Sequence, residues 1–190
     1  LAGNFDDPLG VAALIDIEVF SGRRDFLLDL GATELDFCTY VTRHLSAALK
    51  IGAVSDEKRR GVVLLLASRI GELKGNSSAH SRLTNVKLVE CADGRFRRAD
   101  ECYFDCDGLR DCLGDSVNIV VLPEETSEAV RDLYAWLGVV QEPRLEDISA
   151  RVDEISRSAY SRELCKDVEN IAAHLGKRVE SGGEYPELAT

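Results

Sequence analysis

The sequence has no apolar run approaching the roughly 20 residues that a bilayer-spanning helix needs. Its longest, Val62–Ala67, suits a buried helix. No basic stretch followed by an apolar core stands near its start, so no secretion signal is read there. There is no methionine anywhere, which predicts an excised piece of a longer protein. Cations are short: 23 Lys and Arg face 34 Asp and Glu, a net charge of −11. Such a field repels phosphate backbones and anionic lipid, so neither nucleic acid nor membrane is an expected partner. The few histidines, His44, His80 and His174, fall in no triad motif, and G-x-S-x-G is missing. Together these absences predict a cytoplasmic chain with no catalytic residues and no cofactor of its own.

What is present is enough apolar residue, 45% of the chain, to build a buried core. VAALI (11–15) reads as a short strand. The run 17–30 reads as a helix, with Phe26, Leu27 and Leu30 on one face and Gly31 as its left-handed stop. Thr33 is placed to cap a second helix to about Leu49, striped by Leu35, Cys38, Val41 and Leu45. Ser55 or Asp56 caps a third helix running to Leu73, apolar on most sides and therefore central. Residues 74–81 read as a polar loop. The period then changes. VKLVECADGRFRRADECYF (86–104) carries Asp93-Gly94 between two extended runs and predicts a β-hairpin. VNIVVL (117–122) predicts another strand. Pro123-Glu124-Glu125 suits a helix start, followed by Val130, Leu133, Tyr134 and Leu137 on one face and a stop at Gly138. Two further helices are marked by Leu145, Ile148, Val152 and Ile155, and by Leu164, Val168, Ile171 and Leu175, the last ending at Gly176.

RDFLLDLG (Arg24–Gly31) and RDLYAWLG (Arg131–Gly138) resemble each other, and the likeness extends along the chain. Leu35 matches Leu145, Cys38 matches Ile148 and Leu45 matches Ile155. Val63, Leu66, Ala67, Ile70 and Gly71 match Val168, Ile171, Ala172, Leu175 and Gly176. The order strand, helix, helix, helix therefore occurs twice. The expected fold is α+β and predominantly helical: two copies of a three-helix unit, with short strands and one β-hairpin between them. The expected organisation is a first module over 1–122, the start of a second, helical module over 123–180, and a loose tail over 181–190.

FSGRRDFLLDLGATELDFCTYVTRHL, EKRRGVVLLLASRIGEL, VKLVECADGRFRRADECYF and LPEETSEAVRDLYAWLGV together resemble the region downstream of the ATPase domain in sacsin-like and NO VEIN-like proteins. Those proteins carry a GHKL-type ATPase domain, the fold shared with gyrase and heat-shock chaperones. The ATPase motifs are absent here. Glu72 and Asn76 match E-x-x-x-N, but Ala79 and His80 stand where Asp and Ala belong, and no D-x-G-x-G follows. The resemblance implies a non-enzymatic interaction or scaffold region of a larger chaperone-related ATPase. Its partners would be other domains of the same polypeptide and a protein client.

Two alternatives stay open. Arg95, Phe96, Arg97 and Arg98 form a compact basic patch with an aromatic, the chemistry that forks phosphate or carboxylate. The competing and favoured reading is a strand guarded by charge against edge pairing. Cys91, Cys102, Cys106 and Cys112 offer four thiols for zinc, but at C-x10-C-x3-C-x5-C, without a C-x2-C knuckle. Free thiols acting as small buried hydrophobes are expected instead. Tyr134 and Trp136 are the remaining candidates for interaction. Trp136 matches Asp29 of the first copy, so that position is expected to be partly exposed, as an interface anchor is.

Overall fold

The structure, a computed structural model, describes residues 5–12, 21–33, 35–51, 54–115, 117–158 and 161–180. The strand expected at 11–15, apart from its first two residues, lies outside them, as do residues 17–20 of the first helix and the tail at 181–190. The fold is α+β and predominantly helical, with a two-stranded antiparallel sheet. Among the described residues no helix is long and apolar enough to cross a membrane.

The described chain divides into two compact units that do not follow the two sequence copies. The first unit takes the residues up to Cys102 together with Val120–Val139. The second takes Tyr103–Ile119 together with the residues from Val140 onward. The boundary expected at 122 is thus replaced by an interleaved one. The reason is packing: the first helix of the second copy lies against the third helix of the first copy.

In the first unit a 3-10 turn (Ser21–Arg23) leads into α1 (Arg24–Asp29). Gly31 (φ +89°) closes α1, its N–H donating to the Leu28 carbonyl. The face expected to be buried is open: Phe26 and Leu30 are exposed. Asp36, not Thr33, caps the next helix, accepting from the Thr39 amide and hydroxyl. That helix runs through α2 (Phe37–Thr39), a wide π-type stretch (Tyr40–Leu45) and α3 (Ser46–Ile51). Ser55 caps α4 (Asp56–Ser68), and a break at Arg69 separates it from α5 (Ile70–Leu73). The expected loop at 74–81 is largely α6 (Ser77–Leu83), capped by Asn76. Ala79 and Leu83, one turn apart, are buried and hold it.

β1 (Val89–Glu90) pairs with β2 (Phe96–Arg97), Glu90 opposite Phe96, and Gly94 takes φ +75° in the turn. The hairpin is shorter than expected because Ala99–Glu101 winds into a 3-10 turn. Val120 adds an antiparallel bridge to Cys91. After α7 (Leu109–Leu113) of the second unit, α8 (Ser127–Leu137) returns to the first. It starts at Ser127 rather than Pro123, because 124–126 form a turn and the first helical bond runs from the Val130 N–H to the Thr126 carbonyl. Its expected face, Val130, Leu133, Tyr134 and Leu137, is buried, and Gly138 (φ +109°) ends it.

The second unit gathers α7, α9 (Leu145–Arg157) and α10 (Arg162–Glu180). Tyr103, Leu109, Cys112, Ile119, Ile148 and Ile171 form its core. The expected stripes are only partly used: Val152 and Val168 are exposed. α10 continues through Gly176, because Arg178 still reaches the Pro143 carbonyl and Glu142.

Candidate interaction groove

The first unit carries a groove of about 570 Å³. α4 supplies Arg60, Val63 and Leu64; the hairpin supplies Glu90 and Phe96; Val121, the segment Pro123–Thr126 and Tyr134 complete the wall. α4 turns Val62, Val63, Leu66 and Ala67 inward, at spacings of one turn, and so carries Leu64 round to the groove. The Val121 N–H donates to the Glu90 carbonyl (2.9 Å), which sets Val121 beside the hairpin. Leu64 is 43% exposed and Val121 44%. Leu64 and Val121 thus present apolar surface to water within one concave patch.

Polar groups brace this wall. Arg60 forks Glu90 through Nε (2.8 Å) and Nη2 (2.5 Å), and Glu90 holds the Arg60 guanidinium charged beyond its ordinary range. Arg59 lies over the Phe96 ring (5.3 Å) and donates to the Lys87 carbonyl. Glu124 and Glu125 stay exposed, so the rim is acidic. The Tyr134 hydroxyl sits between the Glu90 amide (3.4 Å) and the Leu88 carbonyl (3.5 Å). Burial pushes its phenol up to about 12, so it stays neutral. Tyr134 is 2% exposed and forms the groove's floor. A candidate for interaction, it stands one turn after Val130, on the buried face of α8.

The arginine patch is present but neutralised. Arg97 forks Asp93 at 2.7 Å through both terminal nitrogens, and Arg95, 80% exposed at its side chain, approaches the same carboxylate at 3.9 Å. Arg98 forks Asp100. Arg97, with the Arg95 amide and both charges, holds the Asp93 carboxyl far below the usual carboxylate range. Phe96, alternate to Arg95 and Arg97, points to the groove. With its own acids on the guanidinium forks, the hairpin tip offers little to phosphate. The intact chain is expected to pass a heparin column unretained at low salt. Retention that Arg95→Glu abolishes would show the patch open to phosphate.

All six cysteines are free. The four zinc candidates fall two to each unit: Cys91 and Cys102 in the first, Cys106 and Cys112 in the second. Cys106 donates to the Gln141 carbonyl, and Cys112 is buried in the second core. Among the described residues no three or more His, Cys, Asp or Glu side chains are placed to hold a metal ion.

Trp136 is half-buried. Its indole meets the His80 ring edge-on (4.9 Å), and His80 Nε2 hydrogen-bonds to the Trp136 carbonyl (2.9 Å). The matched residue Asp29 is exposed, whereas α6 packs on α8 beside Trp136. The E-x-x-x-N match also resolves locally: Asn76 Oδ1 accepts from the Ala79 amide and caps α6. Composition missed most of the groove. Its trace in the sequence is an excess: α4 is apolar on more sides than one core face can use. No family model matches the chain, and no curated protein or solved structure matches it significantly.

Proposed function

We propose that this chain is a protein-interaction region, and that its groove seats an apolar segment flanked by lysine or arginine. The observation that carries the reading is the groove itself: exposed Leu64 and Val121 beside Phe96, under a rim bearing Glu124 and Glu125. Apolar anchors fill such a cleft, while cations flanking them meet the acidic rim and a net charge of −11. The resemblance to sacsin-like proteins supports a setting beside a GHKL ATPase domain, in which the groove takes a protein client and the chain itself binds no nucleotide.

Panning a peptide-display library on the full chain tests this. Recovered peptides are expected to share two or three apolar anchors with a flanking Lys or Arg. Leu64→Glu should abolish their binding, and Glu124→Lys/Glu125→Lys should weaken the basic ones and remove the loss of their binding with added salt. No enrichment, or enrichment indifferent to Leu64→Glu, removes the groove reading. Retention of single-stranded or duplex nucleic acid by the same protein would favour the hairpin instead.

A further inference from the structure

Two thiols meet in the first unit. Cys91 follows β1 directly and Cys102 follows the 3-10 turn, and their sulfurs stand 3.5 Å apart. Both are free and buried. A disulfide requires about 2.05 Å between sulfurs, so the gap to close is about 1.5 Å.

The two thiols are not equivalent. Cys91 is drawn below the usual thiol range, first by its hydrogen-bond contact with Cys102, then by the nearby Arg97 guanidinium against the opposing effect of burial. Cys102 is pushed far up, first by its hydrogen-bond contact with Cys91 and then by burial, and its single hydrogen has a second acceptor in the Arg98 carbonyl (3.1 Å). One sulfur is thus disposed to attack, and the other keeps its proton until it resolves the product. Burial limits the oxidant to a small one that enters by local opening.

We propose that Cys91 and Cys102 are a peroxide-oxidisable dithiol that closes to a reversible intramolecular disulfide. Cys91 sulfur attacks one oxygen of hydrogen peroxide, the O–O bond breaks, and Cys91 becomes a sulfenic acid with release of one water. Cys102 sulfur then attacks Cys91 sulfur. The S–S bond forms, the S–O bond breaks, and the Cys102 proton leaves with the hydroxyl as a second water. The two thiols lose two electrons in all, and the peroxide gains them.

The test uses the full chain with Cys106→Ser, because trypsin leaves Cys102 and Cys106 on one peptide, 99–110, and Cys91 on another, 88–95. The protein is exposed to hydrogen peroxide at a dose that consumes free glutathione, then alkylated in denaturant and digested. The expected product is the two peptides joined, lighter than their sum by two hydrogens, and separated again by dithiothreitol. Adding Cys102→Ser should remove the linked product and leave Cys91 as a sulfenic acid that dimedone traps. Recovery of both cysteines as alkylated thiols at that dose overturns the proposal. So does a linkage of Cys91 to Cys38, Cys112 or Cys165 in comparable yield.

Discussion

Leu66→Ala is expected to cost the protein about 2–5 kcal/mol, while Leu64→Ala, two positions away on the same helix, costs no more than about 0.5 kcal/mol. Both are leucines in the run VVLLLA, and composition gives no reason to separate them. The structure does. Leu66 is fully buried in α4, a helix that packs on α8, whereas Leu64 is 43% exposed. Truncating Leu66 loses its transfer free energy and leaves a cavity that its neighbours fill only in part. Truncating Leu64 removes atoms that already meet water. Urea denaturation measures the difference as a shift in midpoint at constant slope. The functional readout should invert: Leu64→Ala weakens groove binding in a protein as stable as the wild type. Equal losses of stability from the two variants would mean that α4 buries a different face, and would take Leu64 out of the groove.

Leu64 also shows why the sequence spoke clearly of fold and faintly of site. A helical face is written in spacing, so Val130, Leu133, Tyr134 and Leu137 could be placed before any coordinates, and so could the glycine stops at Gly31 and Gly138. What spacing leaves out is what lies opposite. The stripe Phe26, Leu27, Leu30 has the right period but stays largely open, and Val152 and Val168 keep the period of their helices while facing solvent. α6 was hidden for the converse reason: five of its seven residues are polar or charged, and two small contacts, Ala79 and Leu83, hold it. The two copies are alike in sequence, yet Val63 is buried and its match Val168 is exposed. Likeness of sequence did not carry into the helices: the first copy's are interrupted at Tyr40–Leu45 and at Arg69, the second's run unbroken through Leu145–Arg157 and Arg162–Glu180, and tertiary packing divided the chain along other lines. The groove depends on α4, the hairpin and the approach to α8 converging, and no local pattern encodes that convergence. The charge pairing of the hairpin tip was nearer to hand, since Asp93 and Asp100 stand within a few residues of the arginines they neutralise.

Tyr40→Phe is expected to destabilise the protein by about 1.5–3 kcal/mol near neutral pH, the range for a hydrogen bond to a charged group, and to do so less in acid. Tyr40 is fully buried, stacked near Phe37 and 4.9 Å from the Phe5 ring, and its hydroxyl donates to Asp7 Oδ1 at 2.5 Å. The Asp7 carboxylate also accepts from the amides of Leu9 (3.1 Å) and Ala12 (2.8 Å), so one side chain ties residues 5–12 to the helical core. Burial alone would raise this carboxyl. The Tyr40 hydroxyl and the amides outweigh burial and hold it below its ordinary value of 3.8. A depressed carboxylate contributes stability that is present above its unfolded value and lost as pH falls through the folded one. The wild type should therefore lose stability below about pH 4 as Asp7 takes up its proton. Phenylalanine keeps the ring packing and removes only the hydroxyl, so the Asp7 carboxyl of the variant rises toward its ordinary value. The gap between the two proteins should be widest near neutrality and narrow as the pH drops below about 4. Thermal unfolding of both proteins across that range measures it. A gap that stays constant with pH would assign the loss to packing and leave the Asp7 carboxylate without its part in holding residues 5–12.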